Sequence, residues 1–228
     1  MADERSPWTR LILVLILFIP VALLILFYKG VDHRFDRVPF QYDIVENGDT
    51  AFHALPDFAF IDLQGDSVHR ADLANTILFL SFFAVEDDGL DRTTVLMGNL
   101  QRIFDNIEWE LDPPVRFVSI NTGDSLAAIQ AFAEARAHDA EHWWLLSGNP
   151  ADADRIGGTS LNFPEFARWE AGNPAFTSQT VALIDKSGRV RKYYVATDLQ
   201  EERKMQEDLI TLLRLDYPED LEVIRERR

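Results

Sequence analysis

The sequence predicts an α/β domain with a mixed β-sheet that is flanked by helices and preceded by one N-terminal transmembrane helix. Three observations favour this architecture. An uncharged apolar run lies near the start of the chain, strand-like and helix-like segments alternate after it, and hairpin signals lie at both ends of the alternating region. Alternating strands and helices indicate helices on both faces of a sheet, and the antiparallel hairpins make that sheet mixed.

The uncharged run occupies residues 11–28 and follows an N-terminal tail of residues 1–10. As a helix rising about 1.5 Å per residue, the run spans roughly 27 Å, close to the hydrocarbon thickness of a bilayer. A cleaved signal peptide would have a shorter apolar core and small residues at its cleavage site, but KGVDHRF follows here. We therefore expect a retained single-pass anchor in contact with lipid. Nearby basic residues weakly favour a cytoplasmic C-terminal side, although long domains translocate largely regardless of such charges.

The chain after the anchor divides into three parts. Residues 29–54 mix charges with Pro, Gly and isolated aromatic residues, and they are predicted to form a juxtamembrane linker with little regular structure. The folded domain is expected over residues 55–216. A charged, exposed tail is expected at residues 217–228.

Strands and helices of the domain are indicated by their periodicity. The strand-like segments are DFAFIDL, TILFLSFF, VRFVSI, WWLLSG, QTVALID and RVRKYYV. Apolar residues three or four apart predict a helix from Arg92, and further helices are expected after Asp124 and Asp198, which are candidate N-terminal caps. A loop rich in Gly, Asn and Pro is expected at residues 157–176, and KSG is typical of a hairpin turn.

The chain is acidic and contains no cysteine. Its 228 residues include 22 Lys and Arg against 38 Asp and Glu, a formal net charge of -16. This balance excludes nucleic acid as the expected partner, because phosphates require basic patches. A solvated acidic surface and adaptation to high salt both remain open. The lack of cysteine excludes disulfides, thiolate metal sites and thiol redox catalysis, so we predict no enzymatic activity.

Four segments resemble the Sco/SenC family, membrane-anchored thioredoxin-like copper chaperones of cytochrome oxidase assembly. They are DTAFHALPDFAFIDLQGD, FLSFFAVEDDGLDRTT, VRFVSINTGDSLAAIQAFAEA and FTSQTVALIDKSGRVRKYYVATD, which fall within residues 49–215. The resemblance implies a thioredoxin-like fold of the peroxiredoxin-like variant over residues 55–216. It also implies a domain on the periplasmic side of the membrane and a terminal oxidase or another respiratory complex as partner.

The resemblance fails at the metal ligands. The two cysteines of the family fall on Glu86 and Leu90, and its histidine falls on Thr177. A carboxylate, an aliphatic side chain and a hydroxyl are the wrong donors for Cu(I), which prefers sulfur. The family would imply copper, but we predict no cofactor, no metal site and no catalytic residues.

Acidic residues crowd the turn at these positions. Glu86, Asp87, Asp88 and Asp91 lie within six residues, and several carboxylates can bind a hard cation such as calcium. The spacing of a calcium loop is absent, so we favour a solvated acidic turn at the positive end of a helix dipole. Together with Trp169 in the predicted loop at residues 157–176, these residues form the candidate partner surface.

The remaining polar motifs are expected to be structural. His138 and His142 have a spacing that can bind zinc, but no catalytic Glu lies between them, and we favour two exposed histidines. His53 is expected to form structural hydrogen bonds, and His33 and His69 have no evident partner. No nucleophile elbow, phosphate-binding loop or dinucleotide fingerprint is present.

The predicted function is that of a non-enzymatic, membrane-anchored factor that binds a partner in respiratory oxidase assembly. The surface proposed for this contact comprises residues 84–94 and the loop 157–177. Two alternatives remain open. One is a metal chaperone with altered ligands, and the other is a structural accessory subunit of a membrane respiratory complex.

Overall fold

The structure is a computed structural model of the chain. It describes Trp8 and residues 16–21, 38–44, 48–87, 90–105, 114–136, 143–167, 178–196 and 198–217. Two units are distinguished, Met1–Arg37 and Val38–Arg228. Residues 16–21 are helical, and the rest of the predicted anchor lies outside the described residues. No helix among the described residues is both long and apolar enough to cross a membrane.

The strands that the structure describes in the second unit form three sheets. They are β1 (Tyr42–Ile44), β2 (Thr50–Phe52), β3 (Ala59–Ile61), β4 (Ser67–His69), β5 (Ile77–Phe83), β6 (Val115–Asn121), β7 (Trp143–Leu146), β8 (Thr180–Ile184) and β9 (Val190–Val195). The main sheet has the order β7-β6-β5-β8-β9. Its β5, β6 and β7 are parallel, whereas β8 is antiparallel to both β5 and β9. The predicted mixed sheet is confirmed.

The longer helices alternate with the strands along the chain, as the sequence indicated. They are α1 (Leu90–Asp105), α2 (Leu126–Ala135), α3 (Pro150–Asp154) and α4 (Leu199–Asp216). Shorter helical turns occupy Arg70–Leu73, Arg155–Ser160 and Pro164–Ala167. Two of these turns lie where the sequence predicted an irregular loop, so the loop at 157–176 is partly wrong: residues 157–167 are largely helical, and residues 168–177 lie outside the described part.

The two faces of the main sheet are covered differently. One core cluster joins the sheet to α1, α2 and α4, and the other joins it to the β3–β4 hairpin, α3 and the helical turns that follow. The crossovers β5–α1–β6 and β6–α2–β7 proceed in the same direction along the sheet. Because such crossovers are right-handed, both helices lie on the same face. The prediction of helices on both faces is confirmed, with α1, α2 and α4 on one face and the short α3 with its following turns on the other.

Strand β5 is the centre of both clusters. Phe79 and Phe83 point into the helical cluster, whereas Leu80 and Phe82 point into the other, and every residue of the strand is buried. This accounts for its continuous apolar sequence, since a strand covered on both faces has no polar side. The buried strand fixes the position of the turn at its C-terminal end, where the sequence predicted a site.

The segment predicted as a linker is also corrected, because its second half belongs to the domain. β1 and β2 form an antiparallel hairpin with Tyr42 opposite Phe52. The Gln41 amide donates to the Val190 carbonyl at 3.0 Å, and the Val190 amide donates to the His53 carbonyl at 2.8 Å. These partners lie more than a hundred residues away in the chain, so no local pattern revealed them.

At the other end, Tyr217 belongs to the domain rather than to the predicted tail. Its ring lies 5.2 Å from the Lys186 ammonium, and its hydroxyl donates to the Asn75 carbonyl. Residues 218–228 lie outside the described part of the chain.

Candidate functional site

The turn that follows β5 is held by polar groups from the neighbouring β6–α2 connection. The Phe83 carbonyl accepts hydrogen bonds from the Thr122 amide at 2.9 Å and from the Asn121 side chain at 3.2 Å. The Val85 amide donates to the Asp124 carboxylate at 2.8 Å, and Asn121 donates to the same carboxylate oxygen at 2.7 Å. The Phe83 carbonyl and the Val85 amide, which lie where the chain leaves the sheet, are therefore both hydrogen-bonded within the protein.

Asp124 thus differs from its predicted role. The residue that caps α2 is Ser125, whose hydroxyl accepts from the Ala128 amide. Both residues are suitable caps, and the choice between them depends on Val85, which lies 39 residues earlier. In contrast, Asp198 caps α4 as predicted, by accepting from the Gln200 amide at 2.9 Å.

A second set of contacts, the Asp87–Ser178–Thr93 cluster, joins the turn to the segment before β8. The Asp87 carboxylate accepts a hydrogen bond from the Ser178 amide. Thr93, on the first turns of α1, is buried and donates to the Ser178 carbonyl at 3.4 Å, while the two hydroxyls lie 3.3 Å apart. Asp87 and Ser178 directly follow positions 86 and 177 in the sequence, which the resemblance assigns to a metal site, and they bond to each other.

The Pro164–Ala167 turn contributes a further contact to this end of the domain. The Glu165 carboxylate accepts from the Gln179 amide at 3.1 Å. Phe166 positions the turn by packing edge-on against Phe82 and directly over Gly157. A side chain at Gly157 would place its Cβ 2.2 Å from the Phe166 ring, so this contact requires glycine.

The predicted surface residues have different environments. Glu86 is exposed, Asp87 is half-buried and bonded to Ser178, and Asp91 is exposed and forms an ion pair with Arg136 at 2.8 Å. Leu90 is the first residue of α1. Asp88, Trp169 and Thr177 lie outside the described residues. Of the carboxylates that the structure describes here, that of Asp87 is structural and those of Glu86 and Asp91 are exposed.

The donors at this end of the domain do not fit copper. Among the described residues there is no group of three or more His, Cys, Asp or Glu side chains that could hold a metal ion. Asp87 is bonded to a peptide amide, and the groups beside it are hydroxyls. These are hard oxygen donors, whereas Cu(I) prefers sulfur, so the described groups do not fit this ion.

His53 has the structural role that the sequence indicated. It is buried, with Nδ1 lying 3.0 Å from the Tyr193 hydroxyl and Nε2 lying 3.0 Å from the Asp43 carboxylate. His69 precedes the Arg70–Leu73 turn, and its amide donates to the Asp72 carboxylate at 2.7 Å. His33, His138 and His142 lie outside the described residues.

Ser81, which lies near the C-terminal end of β5, is part of the core. Its hydroxyl lies 2.8 Å from that of Ser119, which also accepts from the Trp143 indole at 3.0 Å. All three residues are buried. The tryptophan therefore belongs to the core, as predicted, and the hydroxyl of Ser81 is bonded to that of Ser119.

The β8–β9 hairpin holds a buried ion pair that the sequence did not single out. The Arg191 guanidinium lies 3.2 Å from the Asp185 carboxylate and also donates to the Val38 carbonyl. The other oxygen of Asp185 accepts from Ser187 and Arg189, which closes the turn, and Gly188 adopts a φ of 81° there. Such a positive φ favours glycine.

Two tyrosines of β9 have shifted acidities. Burial raises the pKa of Tyr194 above its usual value, and its hydrogen bond to Asp208 at 2.7 Å raises it further. Burial also raises the pKa of Tyr193, with a smaller contribution from the negative charge of Asp43. Neither hydroxyl ionises near neutral pH, so both serve as hydrogen-bonding groups of the fold.

Solved structures that share this architecture include several Sco proteins. A SCO1/SenC family lipoprotein from Bacillus anthracis is 22% identical, with a TM-score of 0.59 over 70% of this chain and 94% of its own. BsSco, a member of the Sco family of cytochrome c oxidase assembly proteins, is 16% identical, with a TM-score of 0.56 over 71% and 94%. ScoI from Arabidopsis thaliana, solved with copper bound, is 15% identical, with a TM-score of 0.53 over 71% and 99%.

No family model matches the sequence, and no curated protein matches it. The structural likeness therefore establishes the fold. The domain that begins at Val38 has the thioredoxin-like fold of the Sco/SenC proteins, in a sequence without cysteine.

Proposed function

We propose that this protein is a membrane-anchored, non-enzymatic factor that binds a partner during assembly of a respiratory oxidase. One observation carries the proposal: a Sco-like fold whose strand-to-helix turn is closed by Asp87, Ser178 and Thr93 in a chain without cysteine. The scaffold keeps its shape while thiol exchange is impossible. We therefore assign this end of the domain to partner binding rather than to catalysis.

The apolar run at residues 11–28 supplies the proposed anchor. A tether confines the domain to a thin layer beside the bilayer, which raises its effective concentration near membrane partners. The relative from Bacillus anthracis is named a lipoprotein, and it supports an anchored domain on the extracytoplasmic side of the membrane.

The charge of the proposed contact surface indicates the kind of partner. Glu86 and Asp91 are exposed, and Asp88 adds a third carboxylate from the sequence. A partner with a basic patch would be attracted and oriented by this surface, because complementary charge mainly increases the association rate and the specificity. Trp169 is the aromatic residue that we assign to the same contact.

Charge reversal at the exposed carboxylates tests this function. We expect Glu86→Lys combined with Asp88→Lys to abolish co-purification of oxidase subunits with the full chain from gently solubilised membranes. The structure excludes Asp87 from this variant, because its carboxylate accepts from Ser178 and its loss would disturb the turn.

Asp57→Lys is the matched control for this experiment. The side chain of Asp57 is 97% exposed, and its pairing with Arg70 at 3.5 Å contributes little to stability. Asp57 is two residues from Leu55, whose amide donates to the Gly188 carbonyl in the turn after β8. Ser178 precedes β8, so the control lies toward the other end of that strand. If the double variant retains the same oxidase subunits as the control, the acidic turn is not the contact surface.

The two alternatives give different results in solution. A metal chaperone with altered ligands would retain one equivalent of zinc, calcium or copper in equilibrium dialysis, and Glu86→Ala would abolish that binding. A structural accessory subunit would migrate with its complex after gentle detergent extraction, even when the chain carries Glu86→Lys and Asp88→Lys.

A further inference from the structure

The β1–β2 hairpin presents an apolar face away from the rest of the domain. Tyr42 and Ile44 lie on its first strand with Phe40 two residues before it, and Phe52 lies opposite Tyr42 on the second. These four side chains are 38%, 51%, 74% and 39% exposed, respectively. Their rings contact one another, with centroids 5.5 Å apart for Phe40 and Phe52 and 6.1 Å apart for Tyr42 and Phe52.

The opposite face of the hairpin attaches it to the domain. Asp43 and His53 point to that side, where His53 is buried between the Asp43 carboxylate and the Tyr193 hydroxyl. Backbone hydrogen bonds to Val190 extend the attachment on both sides of the hairpin. Since side chains alternate between the two faces of a strand, this attachment fixes the apolar side chains on the outer face.

Cationic groups lie at the edge of the aromatic cluster. The Arg189 guanidinium is 4.6 Å from the centroid of Phe52, and that of Arg191 is 4.0 Å from the centroid of Phe40. Arg189 is exposed, whereas Arg191 is buried in its pair with Asp185. Exposed aromatic rings beside an arginine are the side chains typical of the membrane interface, where rings lie at headgroup level and guanidinium groups meet phosphate.

The length of the intervening chain limits how far this face can be from lipid. Nine residues, 29–37, separate the proposed anchor from Val38. A fully extended segment of this length spans at most about 32 Å. The segment contains Lys29, Arg34 and Arg37 against Asp32 and Asp36, a formal net charge of +1, whereas the whole chain carries -16.

We propose that the hairpin face formed by Phe40, Tyr42, Ile44 and Phe52 rests in the headgroup region of the bilayer. The expected surface is zwitterionic lipid, because the acidic domain is repelled by an anionic one. The contact orients the domain relative to the membrane and so determines where the acidic turn meets its partner. This inference rests on the proposed anchor at residues 11–28.

Spin labels can locate the hairpin in the full chain, because the sequence has no cysteine and each introduced cysteine is the only labelling site. The probe position is Thr50→Cys, which lies opposite Ile44 and leaves the four apolar side chains intact. Ile210→Cys, on α4 and 43% exposed, is the control on the domain, and Ile19→Cys reports on the anchor. The protein is reconstituted in phosphatidylcholine vesicles, and collisions of each label with oxygen and with a water-soluble nickel complex are compared.

We expect oxygen collisions to exceed nickel collisions at positions 19 and 50, and the reverse at position 210. Adding Tyr42→Asp and Ile44→Asp should lower the oxygen-to-nickel ratio at position 50 to that at position 210. If position 19 is in lipid but position 50 already matches position 210, the hairpin contact is refuted and the anchor stands. An aqueous signal at position 19 refutes the anchor and the contact together. Spin–spin broadening at position 50 that disappears on dilution with unlabelled chain would instead assign the face to a second copy.

Discussion

The β8–β9 hairpin and the turn between β5 and α1 are both segments in which the sequence resembles the Sco proteins, but they differ in what their residues do. In the hairpin, Asp185, Gly188 and Arg191 keep the family pattern, and each has contacts within the domain. At the positions that the resemblance assigns to metal ligands, in this turn, at the start of α1 and before β8, the chain has Glu86, Leu90 and Thr177, respectively. The hairpin residues therefore contribute to the fold through contacts within the domain, whereas Glu86 is exposed.

The difference has a simple energetic basis. Asp185 and Arg191 are buried, and a buried charge without its partner is strongly unfavourable. Glu86 is exposed, so water solvates its carboxylate whether or not a partner is present. We therefore expect substitutions at Glu86 to leave the folded domain intact.

The largest effect is expected from breaking the buried pair. Arg191→Ala leaves Asp185 unpaired and removes the donor to the Val38 carbonyl, so the free energy of unfolding should fall by about 3–5 kcal/mol. Urea unfolding followed by tryptophan fluorescence measures the loss. Arg189→Ala, which removes an exposed guanidinium in the same hairpin, is the control, and equal losses in both variants would contradict the comparison.

A smaller loss, with a characteristic pH dependence, is expected for Tyr194→Phe. Removing the hydroxyl that donates to Asp208 should lower the free energy of unfolding by about 2 kcal/mol at pH 8, since hydrogen bonds to charged groups are the stronger ones. Lys192 remains within 2.7 Å of Asp208 in the variant, which limits the loss.

The raised pKa of Tyr194 determines how this difference changes with pH. Its contribution is complete below about pH 10, where unfolded tyrosine begins to ionise, and is lost as the pH rises toward the higher pKa of the folded state. Between pH 10 and 11 the advantage of the wild type over Tyr194→Phe should decrease by up to about 1.4 kcal/mol. A constant difference across this range would show that the tyrosine is not buried as described.

The turn should tolerate changes better than the hairpin. Asp87→Ala removes the acceptor for the Ser178 amide and should lower the free energy of unfolding by about 1–2 kcal/mol. Asp87→Asn keeps an acceptor oxygen at the same place and should recover most of this loss. Identical losses in the two variants would show that Asp87 acts through its charge rather than by accepting this hydrogen bond.

The smallest effect is expected at the neighbouring residue. Glu86→Lys should change the free energy of unfolding by less than about 0.5 kcal/mol, because substitutions of exposed side chains rarely do more. The same urea measurement detects this difference. A loss as large as that of Asp87→Ala would mean that Glu86 is part of the structure of the turn.

Sequence patterns predicted the elements that depend on local residues. The apolar run from Thr76 predicted β5, the period from Arg92 predicted α1, and KSG predicted the turn between β8 and β9. In each case the pattern itself reflects the structure: a strand covered on both faces is apolar throughout, and a helix buries one face.

The features that the sequence did not predict depend on distant partners. The β1–β2 hairpin is held by Val190, Asp124 bonds to Val85, and Asp87 bonds to Ser178, 91 residues later. Periodicity and capping rules use only neighbouring residues, so they cannot identify such pairs. The candidate surface remains a prediction, because exposure identifies Glu86 and Asp91 as accessible but not as contacts.

The central claim is that the scaffold persists without the ligands for copper, and Cu(I) binding tests it most directly. Full-length protein is titrated against a chromophoric Cu(I) chelator, beside a variant that carries Glu86→Cys, Leu90→Cys and Thr177→His. We expect the wild type to withhold no Cu(I) from the chelator and the variant to withhold one equivalent, because the three substitutions restore the sulfur and imidazole donors that the resemblance implies. One tightly held equivalent in the wild type would contradict the account.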